Sequence, residues 1–289
     1  MSDSGAPPPD HPLRPLYGCL LKMWRADKHF DALQDSIKEF LGSKPYEVVH
    51  DFQLEANQYA VQVKVHQRPP NEWSPIIGDI VHNTRSSLDH LAWQLVKRNA
   101  EEPIPGKTQF PIFSEDPFDR NAYPTTKKWK RAYDSWGRQT DGMHPRDIAF
   151  LKTLQPYYQR PEDSDSHDLA RLRELSNWDK HRELHFATSA HVGSRYHLKE
   201  GTRNARIIPL YIRPAPRVFE DGTEVARFSV IPTDPNHHVD LYVKVLFDVA
   251  FGEGSPLEGL GIKRTLADMG LCVSHILSEF KIKFAGQTF

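Results

Sequence analysis

Between Val239 and Phe251, apolar residues fall at every second position: Val239, Leu241, Val243, Val245, Phe247, Val249 and Phe251, with mostly polar partners between them. Successive side chains of a strand point to opposite faces, so this spacing builds one buried face and one wetter face. That is the signature of an antiparallel sheet, and it excludes a purely helical chain. Two hairpins are expected beside it. Tyr46, Val48, Phe52 and Leu54 approximate the same period, and Tyr59, Val61, Val63 and Val65 keep it, joined by the polar run Glu55-Ala56-Asn57-Gln58. Arg206–Arg213 and Glu224–Ile231 flank a turn at Asp221-Gly222.

Helical periods occupy the rest. Leu20, Met23, Trp24, Phe30, Leu33, Ile37 and Phe40 predict a helix over Leu16–Leu41, stopped by Gly42. A second helix is expected over Ser74–Asn99, capped by Ser74 with Pro75 in its first turn, and with Ile77, Val81, Leu88, Leu91 and Leu95 as its core stripe. Thr126–Trp136 predicts a short helix. Another starts near Pro145, and Asp165 is placed to cap one carrying Leu169, Leu172 and Leu175. The last helix has Ser255 to Glu258 as a candidate capping box and continues through Phe280. Strands and helices are interspersed without regular alternation. The expected fold is therefore α+β: an antiparallel sheet packed against a layer of helices. A single domain is expected over residues 13–289, behind a disordered tail of residues 1–12, with an irregular Pro- and aromatic-rich insertion over 103–142.

The chain has 289 residues and a formal net charge of −1, so no global field recruits nucleic acid and any such contact must come from a local patch. No apolar run approaches the roughly 20 residues needed to span a bilayer, and the first residues lack the basic start and apolar stretch of a signal peptide. Two cysteines, Cys19 and Cys272, lie far apart in apolar helical patterns, which fits a reducing, cytoplasmic setting and no membrane partner.

Two segments, Gly78–His90 and Asn177–His185, carry the densest polar chemistry. On the second helix Asp79, Asn83, Ser86 and His90 share one sector, and His82, Arg85 and Asp89 the next. A plain solvated face would use Glu, Lys and Gln, which are better helix formers. A structural network between helices would also explain the choice. The order Arg85-Ser86-Ser87-Leu88-Asp89-His90 is Arg-x4-His, and it resembles the motif of HEPN-fold proteins, helical ribonucleases and nucleotide-binding domains. The resemblance implies metal-independent RNA cleavage near a homodimer interface. Arg85 would brace the charge on the attacked phosphate, and His90 would move the proton. A longer pattern, Gly78-Asp79-x-x-His82-Asn83-x-Arg85-x-x-Leu88-Asp89-His90 followed by Asn177-x-Asp179-Lys180-His181-Arg182, resembles a group of uncharacterised bacterial and phage-type proteins, which implies no activity.

Asn177, Asp179, His181, Arg182 and His185 follow an apolar helical run, where their cations would complement a helix C-terminus. Asp79, His82, His90, Asp179, His181 and His185 could ligate a divalent metal together, but there is no compact metal signature, and no cofactor is expected. Lys127, Lys128, Trp129, Lys130 and Arg131, with Tyr123, Tyr133 and Trp136 nearby, mix cations with rings on which bases can stack; the same residues suit an amphipathic helix with a core face of Trp129, Ala132, Tyr133 and Trp136. P-loop, dinucleotide-fingerprint and nucleophile-elbow motifs are absent. Three readings follow: a metal-independent RNA-cleaving or RNA-binding protein, a non-enzymatic scaffold whose polar helix is structural, and a metal-dependent hydrolase.

Overall fold

The computed structural model describes residues 11, 13–53, 57–99, 101–181, 187–198, 205–213, 217–232 and 241–286. They fall into two compact units. A helical unit takes its residues from Met1–Asp31, Pro75–Leu184 and Arg264–Phe289, and a sheet unit takes them from Ala32–Ser74 and His185–Lys263. The fold is α+β.

In the sheet unit, β1 (Tyr46–Gln53) and β2 (Gln58–Val65) form the first expected hairpin, with Tyr46 opposite Val65 and Gln53 opposite Gln58. Together with β6 (Thr223–Pro232) and β4 (Ala205–Ile212) they make a four-stranded antiparallel sheet in the order β1-β2-β6-β4. Tyr59, Val61 and Val63 are buried, as their period requires. A second sheet, β5-β3-β7, comprises β3 (Ala187–Leu198), β5 (Arg217–Val218) and β7 (Leu241–Phe251). Val243, Val245, Val249 and Phe251 are buried while Leu246 is exposed, so the alternation selects the faces of β7. Helix α1 (Tyr17–Gly42) contributes Phe40 to this unit, edge-on to Tyr46 with ring centroids 6.0 Å apart; Tyr46 in turn meets Phe219 and Phe247, both at 5.1 Å.

The second hairpin needs correction. β4 and β6 do pair antiparallel, but β5 intervenes and pairs with β3 in the other sheet. The Asp221-Gly222 turn closes onto β2 instead: Asp221 Oδ1 accepts from the Val65 N–H at 2.8 Å, and the Gly222 N–H donates to the Val63 carbonyl at 2.8 Å. Gly222 has φ +77°, a left-handed conformation that glycine adopts without a Cβ penalty.

The helical unit holds residues of α1, α2 (Trp73–Arg98), α3 (Thr126–Thr140), α4 (Pro145–Thr153), the single turn α5 (Pro156–Gln159), α6 (Asp168–His181) and α7 (Ile262–Phe284). Ile77, Val81, Leu88, Leu91 and Leu95 are buried, as are Leu169, Leu172 and Leu175. Fully burying such a side chain contributes on the order of 1.5–3 kcal/mol.

The caps differ from expectation. Ser74 lies within α2, buried, with its hydroxyl unpartnered. Asp165 falls in a separate 3-10 turn, and His167 caps α6: its carbonyl accepts from the Arg171 N–H and its Nδ1 from the Leu169 N–H at 3.1 Å. His144 caps α4 in the same way, accepting from the Arg146 N–H at 3.2 Å. A ring nitrogen two bonds beyond Cβ can reach the free N–H groups of a first turn as Asp or Ser does. Ser255 and Glu258 make turn bonds to Leu257 and Gly254, and α7 begins only at Ile262. Trp24, expected on the core stripe of α1, is 40% exposed.

Candidate functional site

Between α2 and α3 the chain crosses the helical unit as a strap, Thr108–Ser114, which pairs with no strand among the described residues. Its backbone polar groups still need partners, and four side chains supply most of them, main chain bonding only the Phe113 carbonyl and the Thr108 N–H among those described. Asp89 Oδ1 accepts from the Phe110 N–H at 3.0 Å, and Arg85 Nη2 donates to the Phe110 carbonyl at 2.8 Å. Gln155, fully buried, accepts from the Phe113 N–H at 3.0 Å and donates to the Pro111 and Leu151 carbonyls, both at 3.0 Å. Arg173 of α6 donates to the Ile112 carbonyl at 3.2 Å and to Ser114 Oγ at 3.1 Å. Arg85 Nη2 also donates to Asp89 Oδ1 at 2.8 Å, the expected (i, i+4) pair.

These contacts divide the polar face of α2. Arg85 and Asp89 turn toward the strap and α6. They line a cavity of about 320 Å³ with Gln109, Phe110, Ile112, Phe113, Ser135, Gln139, Arg173, Ser176 and Asn177. Asp79, Asn83 and His90 turn toward α1. Lys22 Nζ donates to Asn83 Oδ1 at 3.4 Å, Asn83 Nδ2 donates to the Asp79 carbonyl at 2.8 Å, and His29 Nε2 lies 4.0 Å from Asp79 Oδ2. His90 packs its ring against Gly18, where a Cβ would sit 3.0 Å from Nδ1. His82 is exposed and sits 3.4 Å from Ser86 Oγ, on the strip between the two groups.

Arg85 and His90 are five residues apart, about 140° around a helix, and His90 is not among the residues that line the cavity. Burial lowers the Arg85 pKa; the Asp89 carboxylate opposes that and the Arg173 charge adds to it, yet a guanidinium stays protonated. Burial first, then the Lys22 ammonium, hold the His90 pKa below its ordinary value, against the pull of Asp89.

The two polar segments meet. Asn177 shares the cavity with Arg85 and Asp89, and the Asp179 carboxylate packs on the Gly78 backbone, its Oδ1 2.7 Å from where a Cβ would be. Only glycine allows that approach. Arg182 and His185 lie outside the described residues, as does the side chain of His181. No group of three or more potential His, Cys, Asp or Glu metal ligands occurs among the described residues. Both thiols are raised to about 12 by burial, which leaves Cys19 and Cys272 unreactive near neutrality.

On α3, capped by Thr125 Oγ1 accepting from the Lys128 N–H at 3.2 Å, Lys127, Lys128, Lys130, Arg131 and Arg138 are all exposed. None of the five forms an ion pair among the described residues. Trp136 is buried and Trp129 half-buried, but Tyr133, expected on the core face, is 50% exposed. It leans edge-on to the exposed Phe118 at 6.0 Å, and Lys152 Nζ lies 3.7 Å from the Phe118 ring centroid. Sequence inspection did not single out Phe118, Gln139, Gln155 or Arg173. The roles of Gln155 and Arg173 arise from the strap, which has no periodic signal. No helix among the described residues is long and apolar enough to cross a membrane.

No protein-family model, curated protein or solved structure matches this chain.

Proposed function

We propose that the helical unit binds single-stranded RNA across the outer face of α3. One observation carries the reading: five exposed cations that form no ion pair among the described residues share α3 with the solvent-facing Tyr133, which leans on the exposed Phe118. Lys130 lies one turn before Tyr133 on the same side of α3, while Lys127, Arg131 and Arg138, at helical spacings of four and seven, form a stripe about 140° further round. Phosphates meet such a stripe while bases stack on rings, each base contributing about 1–3 kcal/mol. A solvated basic face would need no exposed aromatic residues, and burying Tyr133 would have been the favourable choice for a purely structural helix.

Anisotropy of a labelled single-stranded RNA tests the proposal. Binding should weaken steeply with salt. Lys127→Gln combined with Arg131→Gln should flatten the logarithmic salt slope by about 1.4, two contacts at roughly 0.7 each. Tyr133→Ala should weaken binding at all salt concentrations. Absence of binding at low salt to any single strand would overturn the reading.

Cleavage by Arg85 and His90 is a narrower proposal. It calls for a homodimer in which the His90 of a second copy approaches the Arg85 cavity, because the two side chains of one chain diverge. Products ending in a 2′,3′-cyclic phosphate, formed in the presence of EDTA and lost in His90→Ala, would support it; unchanged cleavage in that variant would remove it. The scaffold reading is favoured by a different observation, the commitment of Arg85 and Asp89 to the backbone of the strap. On that reading the α3 face contacts protein, and the RNA titration is blank.

A further inference from the structure

Lys152 stands in the last turn of α4, and its side chain reaches the exposed aromatic pair beside α3. Its ammonium lies 3.7 Å from the Phe118 ring centroid, and Phe118 lies 6.0 Å from Tyr133. A lysine serving only the helix end would donate to a last-turn carbonyl. Lys152 Nζ makes no hydrogen bond and no ion pair among the described residues. All three of its N–H groups are therefore unused.

A ring and a carboxylate hold a cation with different results. A carboxylate cancels the charge, whereas a ring attracts the cation through its quadrupole and leaves the charge intact. Elsewhere in the helical unit Arg85, Arg171 and Arg264 are held by the carboxylates of Asp89, Asp168 and Asp268. Lys152 is held by a ring. On α3, Lys130 is exposed one turn before Tyr133 and forms no ion pair among the described residues. Tyr133 is 50% exposed, so its ring has open surface with an uncancelled cation to either side: Lys130 along the helix and Lys152 across Phe118. The carboxylates nearest Phe118 in sequence are committed to main chain. Asp116 Oδ1 accepts from the Phe118 N–H at 2.9 Å, and Asp119 Oδ1 accepts from the Asn121 N–H at 2.8 Å.

We infer that Tyr133 takes one unpaired base of the strand, that Lys130 and Lys152 take the phosphates on either side of that nucleotide, and that Phe118 is the positioning residue that keeps Lys152 beside the ring. The inference rests on the RNA reading and narrows it. The ligand must offer a free base face with a phosphate on each side, as an internal nucleotide of a single strand does. A duplex keeps its bases stacked on one another and has none to place on Tyr133. Lys152 comes from α4, so the site is a property of the packed helical unit and not of the basic helix alone.

The experiment follows the anisotropy of a labelled single-stranded oligouridine with the full chain over an about tenfold range of salt. Lys152→Gln should flatten the logarithmic salt slope by about 0.7, one phosphate contact, so that its deficit against wild type narrows about fivefold across that range. Phe118→Leu removes no charge, yet it should flatten the slope by a similar amount, and adding Lys152→Gln to it should flatten the slope no further. Phe118→Tyr keeps a ring and should keep the wild-type slope. A purely structural contact between Phe118 and Lys152 would move the melting temperature and leave every slope alone. Tyr133→Ala should weaken the single strand and leave binding of its duplex with oligoadenosine unchanged; equal losses for both would remove the base from Tyr133. If wild type binds and Lys152→Gln keeps the wild-type slope, the inference falls and the RNA reading stands. If Lys152→Gln flattens the slope and Phe118→Leu does not, the positioning role of Phe118 falls. If no strand binds at low salt, both the inference and the RNA reading fall. Should Phe118→Leu not fold, Phe118→Met takes its place, and the same loss of slope is required.

Discussion

The two units satisfy their extended backbone in opposite ways. In the sheet unit β2 has a partner on each side, and residues 58–63 pair with both β1 and β6. Main chain answers main chain, and side chains are left to pack. In the helical unit the strap Thr108–Ser114 has no strand partner among the described residues, and Asp89, Arg85, Gln155 and Arg173 bond to its peptide groups. A ladder spreads its bonds over many residues. The strap concentrates most of them in four side chains, and each should be correspondingly costly to remove.

The largest expected effect is at Gln155. Gln155→Leu keeps the volume but strands the Phe113 N–H and the Pro111 carbonyl inside the unit. At about 1–3 kcal/mol for each orphaned group, stability should fall by roughly 3 kcal/mol in denaturant titration. A loss under about 1 kcal/mol would mean that the strap is not held as described, and the contrast between units would dissolve.

Gly78→Ala should come next. Alanine favours a helix interior over glycine by about 1 kcal/mol, but its methyl would enter the space of the Asp179 carboxylate, 2.7 Å away. Overpacking costs about 1–3 kcal/mol, so the net change runs from neutral to about 2 kcal/mol destabilising. In the background of Asp179→Ala the sign should reverse. Equal effects in both backgrounds would show that α2 and α6 do not approach here.

A smaller and pH-dependent effect is expected at His167. Its Nδ1 accepts from the Leu169 N–H and its Nε2 lies 2.9 Å from Gln159 Oε1, a pattern that only the neutral ring serves. Burial holds its pKa below the ordinary value; Asp168 opposes this, and Arg160 and Arg171 reinforce it. The unfolded chain thus binds the proton more readily. The stabilisation is fully present above about pH 6.5 and is lost as pH falls through the depressed folded value. Melting temperature should drop more between pH 7.5 and 5 in wild type than in His167→Asn, whose amide oxygen caps without titrating. Parallel curves would exclude the cap as the titrating group.

The smallest effect belongs to the sheet unit. Arg227 pairs with Glu224 and reaches Gln53 Oε1 and Gln58 Oε1 at 3.1 and 3.2 Å, but on a ladder that holds without it. Arg227→Ala should leave the denaturant midpoint close to that of wild type. A value near that of Gln155→Leu would erase the distinction between the units.

Periodic sequence was the readable part. The hairpin β1–β2, the strand β7 and the apolar stripes of α2 and α6 sit where their spacing puts them, because periods of two and 3.6 express the geometry of single elements. Failures cluster where geometry depends on a neighbour. Asp165 has the usual chemistry of a cap, yet His167 holds the position. Ser255 and Glu258 have capping-box spacing, yet they close a turn. The split of α2 into two polar sectors was visible on the helical wheel. What each sector faces was not.

By itself, then, the sequence determined that this chain has an antiparallel sheet and a set of amphipathic helices, and that Gly78–His90 and Asn177–His185 carry unusual polar density. Those properties are written in side-chain type and spacing within a few turns. The tertiary structure decided the rest. It brought Asn177 to the cavity of Arg85 and Asp89, turned His90 toward Gly18, and recruited Gln155 and Arg173 to a strap distant in sequence. The strap's peptide groups are the same chemically at every residue. Which side chains must satisfy them depends on where the strap lies among the helices, and that position has no local code.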